Sequence, residues 1–481
     1  MKIAALKKKV ASMPAAAKAS LALMLTEILS KGFAVLTAPI YTRLMTQTEY
    51  GVTTLFFSWY DILVIFTGLC LCKGVFNNGM LEFKEDRDRF TFSLSVLACI
   101  SSVVVGVAVL LYCVYVDNFF NLPLDLLFYM FLLLFAEEAM MIWCVRQRFE
   151  FKYKALTAVN MSLAILSPIL GIVCILLFPG KKSYAWIMGA KTLYLAANFF
   201  FLFYNGVKAK FRVKTSYWWY ALKFNLPLIP HYLSLHVLNH MDRIQIASIC
   251  SEAHAAIYTV AYSGASVVKL FWQGVNASLI PWTYEMCEKK QFERIGALTK
   301  ILIAGYGLIC LVFMALAPEI MLILAPESYS GGIYVIPSVI AGVFFSALYY
   351  IFANVVYYYK KPKYVMLGSV VSAVANVVLN AIFIPKYGYL AAGYTTMVSY
   401  FLQVVIDYLA LHRIMGRDIY DMKFIWLFSA CMVLVACTLS MVYQMIWLRM
   451  AFLACVLLYA FFFLKKNKNS LMAFMKKKGN D

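Results

Sequence analysis

The feature that most constrains this chain is an apolar run of about 20 residues, the length a helix needs to cross bilayer hydrocarbon. Such runs recur from one end of the sequence to the other. In lipid every backbone polar group must be satisfied within the fold, so runs of this length span as helices. Read between charges and turn residues, fourteen of them lie near 20–42, 50–72, 91–116, 122–145, 155–178, 183–204, 220–250, 254–281, 300–324, 332–357, 364–384, 388–411, 424–444 and 446–464. The connections are short, the longest being the stretch around Lys73–Arg89, and leave no space for a soluble catalytic, nucleotide-binding or receptor domain. Composition agrees: 63% of residues are hydrophobic and 14% charged, against roughly half and a quarter in soluble domains. The expected fold is an all-α polytopic membrane protein with about 14 transmembrane helices.

The net charge of +20 does not indicate a nucleic-acid partner, because the basic residues are spread between apolar runs and form no polar domain. Their placement sets an orientation instead. With both termini cytoplasmic, 33 of the 43 lysines and arginines fall in inward segments and 5 in outward ones, the asymmetry of the positive-inside rule. This favours an even number of spans; twelve would require that one pair was overcounted. The remaining five, Lys31, Lys191, Lys223, Arg243 and Lys269, stand in or at the ends of runs. Ala15–Ala17 precedes the first apolar run, the reverse of a signal-peptide cleavage site. Residues 2–18, with Lys7–Lys9, read as a basic segment on the cytoplasmic membrane surface.

Ionisable groups inside spans are costly and mark function or helix pairing. The runs contain Glu27 and Lys31 at i,i+4 spacing, Asp61, Glu137, Glu138, Lys191, Lys269, Gln273 and Asp407. The seventh run is the most polar, with Asn225, His231, His236, Asn239, His240, Asp242 and Arg243. For Glu27–Lys31 pairing and function stand level; for Asp242–Arg243 a packing role is favoured. Neither Lys191 nor Lys269 has an acidic residue within a turn of its own helix, which points to an anionic ligand. Pro39, Pro168, Pro227, Pro230 and Pro337 also fall in runs, and Pro227 and Pro230 make the seventh the helix expected to bend. His236 and His240 share a face with too few further histidines for a zinc site; with Asn239 they read as polar contacts or proton-handling groups. The twelve cysteines read as packing residues or free thiols. No GxxxxGK[ST], HExxH or GxSxG motif occurs, so no ATP hydrolysis, metal or cofactor is expected and the chain reads as a non-enzyme.

Ala38-Pro39-Ile40-Tyr41-Thr42-Arg43-Leu44 followed by Glu49-Tyr50-Gly51 resembles the opening signature of bacterial polysaccharide flippases. Asn225-Leu226-Pro227-Leu228-Ile229-Pro230, Asp242-Arg243 and Ile257-Tyr258-Thr259-Val260-Ala261-Tyr262 are similar to that family's seventh and eighth helices. Asn376-Val377-Val378-Leu379-Asn380, Ile384-Pro385-Lys386-Tyr387-Gly388 and Ala391-Ala392-Gly393 are similar to its eleventh helix and the turn into the twelfth. The motifs follow in order over essentially the whole chain.

The resemblance is to the O-antigen and capsule repeat-unit flippases of the multidrug/oligosaccharidyl-lipid/polysaccharide exporter superfamily. It implies two six-helix lobes in a V around a central cavity, with two C-terminal helices added. Residues 1–215 would form the first lobe, 216–412 the second, and 413–481 the last two helices and a basic cytoplasmic tail. It further implies alternating-access transport of an undecaprenyl-diphosphate-linked oligosaccharide across a bacterial inner membrane for surface polysaccharide, alongside other glycan-assembly proteins. On that reading the cations Lys31, Lys191, Lys269 and Arg243 would hold the diphosphate. Glu27, Asp61, Asp242 and Asp407 would serve proton or sodium coupling or helix pairing, and His236, Asn239 and His240 would make polar contacts. The rivals are a peptidoglycan-precursor flippase, a multidrug/cation antiporter of the same superfamily, and, from another class, a membrane-embedded glycan polymerase or ligase.

Overall fold

The computed structural model describes residues 26, 29, 32, 33 and 36–476, with side chains to 468. Glu27, Lys31 and most of the first apolar run lie outside the described residues. Among the described residues every regular element is a helix. Residues 36–44 are helical, and Thr46 then caps α1 (Gln47–Gly68): its hydroxyl accepts from the Glu49 N–H while the Glu49 carboxylate accepts from the Thr46 N–H. This reciprocal pair fixes where the next helix begins.

There follow α2 (Gly74–Glu82), α3 (Arg87–Tyr115), α4 (Leu124–Phe149), α5 (Tyr153–Leu177), α6 (Lys182–Lys208), α7 (Ser216–Asn225) and α8 (Ile229–Ile249). The chain continues with α9 (Glu252–Glu288), α10 (Phe292–Ala315), α11 (Ala317–Leu324), α12 (Ile336–Tyr358), α13 (Pro362–Tyr387), α14 (Leu390–Met415), α15 (Met422–Thr438) and α16 (Ile446–Lys476). Among the described residues eleven helices are long and apolar enough to cross a membrane, and they coincide with eleven of the fourteen expected spans. Of the other three, the first is mostly undescribed, and the seventh and eighth (α7–α8 and α9) are helical but more polar than the rest. This is a multi-pass, all-α membrane protein. The seventh run does not merely bend. It breaks into α7 and α8 across a 3-10 turn at Leu226–Leu228 that contains Pro227, where proline removes a backbone donor.

The chain divides into two compact units, Met1–His236 and Val237–Asp481, and the division falls inside α8. The first unit is held by Leu71, Val75, Phe76, Met80, Phe90, Leu94, Ile142, Tyr217 and Ala221, drawn from α2, α3, α4, α7 and the turn before α2. A second cluster, Met140, Trp143, Leu156, Leu163 and Phe201, joins α4, α5 and α6.

In the second unit α12 is the centre: 94% of its apolar window is buried within the protein, against 11% for α16, which turns its apolar side chains outward. α14 and α9 pack on α12, and α13 on α14. With 37 residues, α9 extends roughly 55 Å at about 1.5 Å per residue. That is longer than the roughly 30 Å of hydrocarbon it would cross.

Candidate functional site

The first unit places its candidate cation on an aromatic seat. Lys191, half-buried and well inside α6, holds its ammonium 4.3 Å from the centre of the Tyr60 ring, 5.1 Å from Tyr194 and 5.3 Å from Phe57. Phe57 and Tyr60 come from one face of α1, and Tyr194 from the next turn of α6, the three-residue spacing that brings helix side chains together. The Tyr60 hydroxyl faces the Glu137 carboxylate of α4, which stands in the field of Lys191, with Asp61 nearby. Lys191 is therefore not without acidic company, as its own helix alone indicated; its counter-charge comes from α4.

Energetics explain the seat. An isolated lysine near the bilayer centre costs about 3 kcal/mol, and a desolvated cation–π contact returns up to about 2 kcal/mol. Rings stabilise the charge without accepting its protons in hydrogen bonds. Among the described residues the Lys191 ammonium makes no hydrogen bond or ion pair, so its three donors stay available to an anionic oxygen.

Nearby, two buried polar side chains hold the turn after α1, where Leu69 and Cys70 have positive φ. The Asn225 amide donates to the Leu69 and Cys70 carbonyls at 3.1 and 2.9 Å. Glu138 Oε1 accepts from the Cys72 N–H at 2.6 Å. Gly68 makes room for that carboxylate, since a Cβ there would lie 2.7 Å from Glu138 Oε2. Lys73 then sits over the Tyr232 ring at 5.5 Å, and the His236 imidazole lies against the Asp61 backbone. Glu138 and Asn225 are thus structural, while Asp61, His236 and Lys191 gather in one unit.

In the second unit Asp242 is the hub of a buried network. Its carboxylate, 1% exposed, accepts from the Tyr258 hydroxyl, the Thr396 hydroxyl and the Asn380 amide, each at 2.7 Å. Asn376 donates to Thr396 Oγ1 at 3.3 Å, and the Thr395 hydroxyl donates to Asn380 Oδ1. Four helices, α8, α9, α13 and α14, are joined through one carboxylate. Its neighbour Arg243 forms no hydrogen bond or ion pair with it among the described residues, but donates to the Asn239 carbonyl and lies 4.6 Å from the Tyr262 ring centre. The expected packing partnership of Asp242 with Arg243 is therefore replaced by partners on other helices. Lys269 is half-buried on α9, two turns beyond Tyr262 and so on the same face. Asn239 and His240 are half-buried on α8.

Two further features were not legible in the sequence. Arg449, counted among outward basic residues, is buried and bonds both Glu319 oxygens at 2.6 Å, tying α16 to α11. Asn276 and Asn354 pair at 2.9 Å between α9 and α12. Asp407 is wholly buried in α14, and neither oxygen has a hydrogen-bond partner among the described residues. All twelve cysteines are free thiols.

This architecture has known counterparts. The solved inward closed conformation of the lipid II flippase MurJ superposes with a TM-score of 0.62 at 14% identity, covering 94% of this chain and 99% of that one. An inward-facing multidrug resistance MATE family transporter of the MOP superfamily gives 0.59 at 12% identity, covering 80% and 94%. At these identities the likeness establishes the fold. In sequence, the Lsg locus putative protein 1 of Haemophilus influenzae is 28% identical over 173 residues, 35% of this chain; the match spans 43% of that relative's length. The family model described as polysaccharide biosynthesis protein matches residues 16–287, more than half of the chain. The chain belongs to the polysaccharide biosynthesis protein family.

Proposed function

We propose that this protein is a flippase for an undecaprenyl-diphosphate-linked oligosaccharide, carrying it from the cytoplasmic to the outer leaflet of a bacterial inner membrane for surface polysaccharide assembly. The observation that carries the reading is Lys191: a lysine inside a membrane protein, held on three rings with its hydrogen-bond donors uncommitted. Such a group suits a diphosphate that must be bound and then released, because a lysine is a mobile point charge and does not lock phosphate bidentately. Arg243 and Lys269 supply further positive charge in the second unit, and Lys31 is a fourth candidate. Both termini are cytoplasmic on this reading, and transport proceeds by alternating access, with the break at Leu226–Leu228 as the place where the chain flexes. Membership of a polysaccharide biosynthesis family and a fold shared with a lipid-flipping protein support it.

Deletion of the gene tests the reading. A deletion strain is expected to lose a surface glycan and to accumulate lipid-linked repeat units on the cytoplasmic leaflet. An unchanged glycan profile would overturn it.

A further inference from the structure

The second unit contains two buried aspartates with opposite surroundings. Asp242 receives three hydrogen bonds from neighbouring helices. Asp407 is 0% exposed, and both its oxygens are without a hydrogen-bond partner among the described residues. A buried carboxylate with neither donors nor a counter-ion is so costly that the group gives up its charge by taking a proton.

The packing around Asp407 is specific. From α13 the facing residue is Gly368, where a Cβ would stand 3.0 Å from Asp407 Oδ1 and 3.5 Å from Cγ, so the carboxyl lies directly on backbone. From α12 the facing titratable group is Tyr349, which is neutral at physiological pH. Among the described residues no lysine, arginine or histidine pairs with Asp407. One turn earlier in α14, the Gln403 amide donates to Ser369 Oγ at 3.1 Å, so that pair is satisfied within itself. The end of α14 that bears Arg413, with Arg417 and Lys423 beyond it, lies roughly 9 Å along the axis from Asp407 at about 1.5 Å per residue.

We propose that Asp407 is a proton-binding site, loaded as α12, α13 and α14 close around it and emptied when they part. Loading bonds one proton from water or buffer to a carboxylate oxygen and leaves the conjugate base in solution. Unloading returns that proton to water and restores the carboxylate. The closed arrangement accommodates only the neutral acid, and the open one, hydrated, accommodates the ion. The helix end marked by Arg413 is the nearer exit. Each transport cycle then carries a proton through this unit. That coupling rests on the flippase reading; the binding of the proton does not.

Infrared spectroscopy of the full chain in lipid nanodiscs tests the site without substrate. At neutral pH the wild type should show a carboxylic-acid C=O band that Asp407→Asn lacks, and Gly368→Ala, which crowds Oδ1, should shift it. A spectrum identical in all three proteins overturns the proposal. In proteoliposomes holding a lipid-linked oligosaccharide, an imposed pH gradient should change the wild-type flipping rate and leave the Asp407→Asn rate unaltered. Equal gradient responses overturn the coupling. If the wild type moves no lipid while the band is present, the flippase reading falls and the proton site stands.

Discussion

The Lys191 ammonium lies 4.3 Å from the centre of the Tyr60 ring, and the hydroxyl of that same tyrosine faces Glu137. One aromatic side chain therefore meets a cation with its face and an anion with its polar tip. Attraction to the ring positions the ammonium, and Glu137 balances the charge without capturing it in an ion pair.

Removing that cation should weaken substrate binding and leave the Glu137 carboxylate without its counter-charge. A hydrogen bond to a charged group contributes about 1.5–3 kcal/mol, which corresponds to roughly a tenfold to hundredfold loss. Lys191→Gln is expected to reduce flipping by that factor in proteoliposomes and, because it leaves Glu137 without its counter-charge, to lower the unfolding temperature, which Lys191→Arg should restore. Lys191→Arg should retain part of the activity. Wild-type rates for Lys191→Gln would remove this residue from the substrate site.

The Asp242 hub predicts coupling between distant positions. Asp242→Ala leaves the Tyr258, Thr396 and Asn380 donors without their acceptor, at about 1–3 kcal/mol for each one stranded. Asp242→Ala and Asn380→Ala should each lower the unfolding temperature, and the double variant should fall less than the sum of the two. Strict additivity in that cycle would mean the contact contributes nothing.

Arg449 and Glu319 should respond unequally. Their side chains are 5% and 38% exposed, so Glu319→Gln strands a buried guanidinium while Arg449→Met leaves only a partly hydrated carboxylate. Breaking a buried pair from the side that leaves a buried charge costs about 3–5 kcal/mol. Glu319→Gln is expected to destabilise near the low end of that range and Arg449→Met by clearly less. Chemical unfolding in detergent measures both, and the reverse order contradicts the assignment.

Asn225 predicts a local effect. Asn225→Ala removes the donor shared by the Leu69 and Cys70 carbonyls and should loosen the turn between α1 and α2. Faster hydrogen exchange confined to 66–76 is the expected result. Exchange unchanged there would show that Glu138 alone holds the turn.

The spans were legible because apolar length is a property of each segment by itself; eleven expected crossings coincide with eleven apolar helices. The place where the seventh run departs from a straight helix was legible too, since Pro227 and Pro230 act on their own backbone, although the expectation was a bend and the structure has a 3-10 turn. Partnerships were not. Lys191 has no acidic residue within a turn of its own helix, and its counter-charge, Glu137, sits on a helix whose facing cannot be read from sequence order. Asp242 was matched with its neighbour Arg243, yet its partner Thr396 lies 154 residues away. The burial of Arg449, at the start of the last run, was not legible because burial arises from packing and its own segment gives no sign of it. Asp407 was recognisable as a charge in an apolar run, but its lack of any donor is purely geometric.

The central claim is movement of a lipid-linked glycan, and reconstitution tests it most directly. The purified protein would be placed in vesicles carrying an undecaprenyl-diphosphate oligosaccharide, with a membrane-impermeant glycosidase reporting which leaflet holds the sugar. The expected result is rapid exposure of inner-leaflet glycan by the wild type and a roughly tenfold or greater slowing in Lys191→Gln. Inner-leaflet glycan that stays protected in wild-type vesicles, as in protein-free ones, would contradict it.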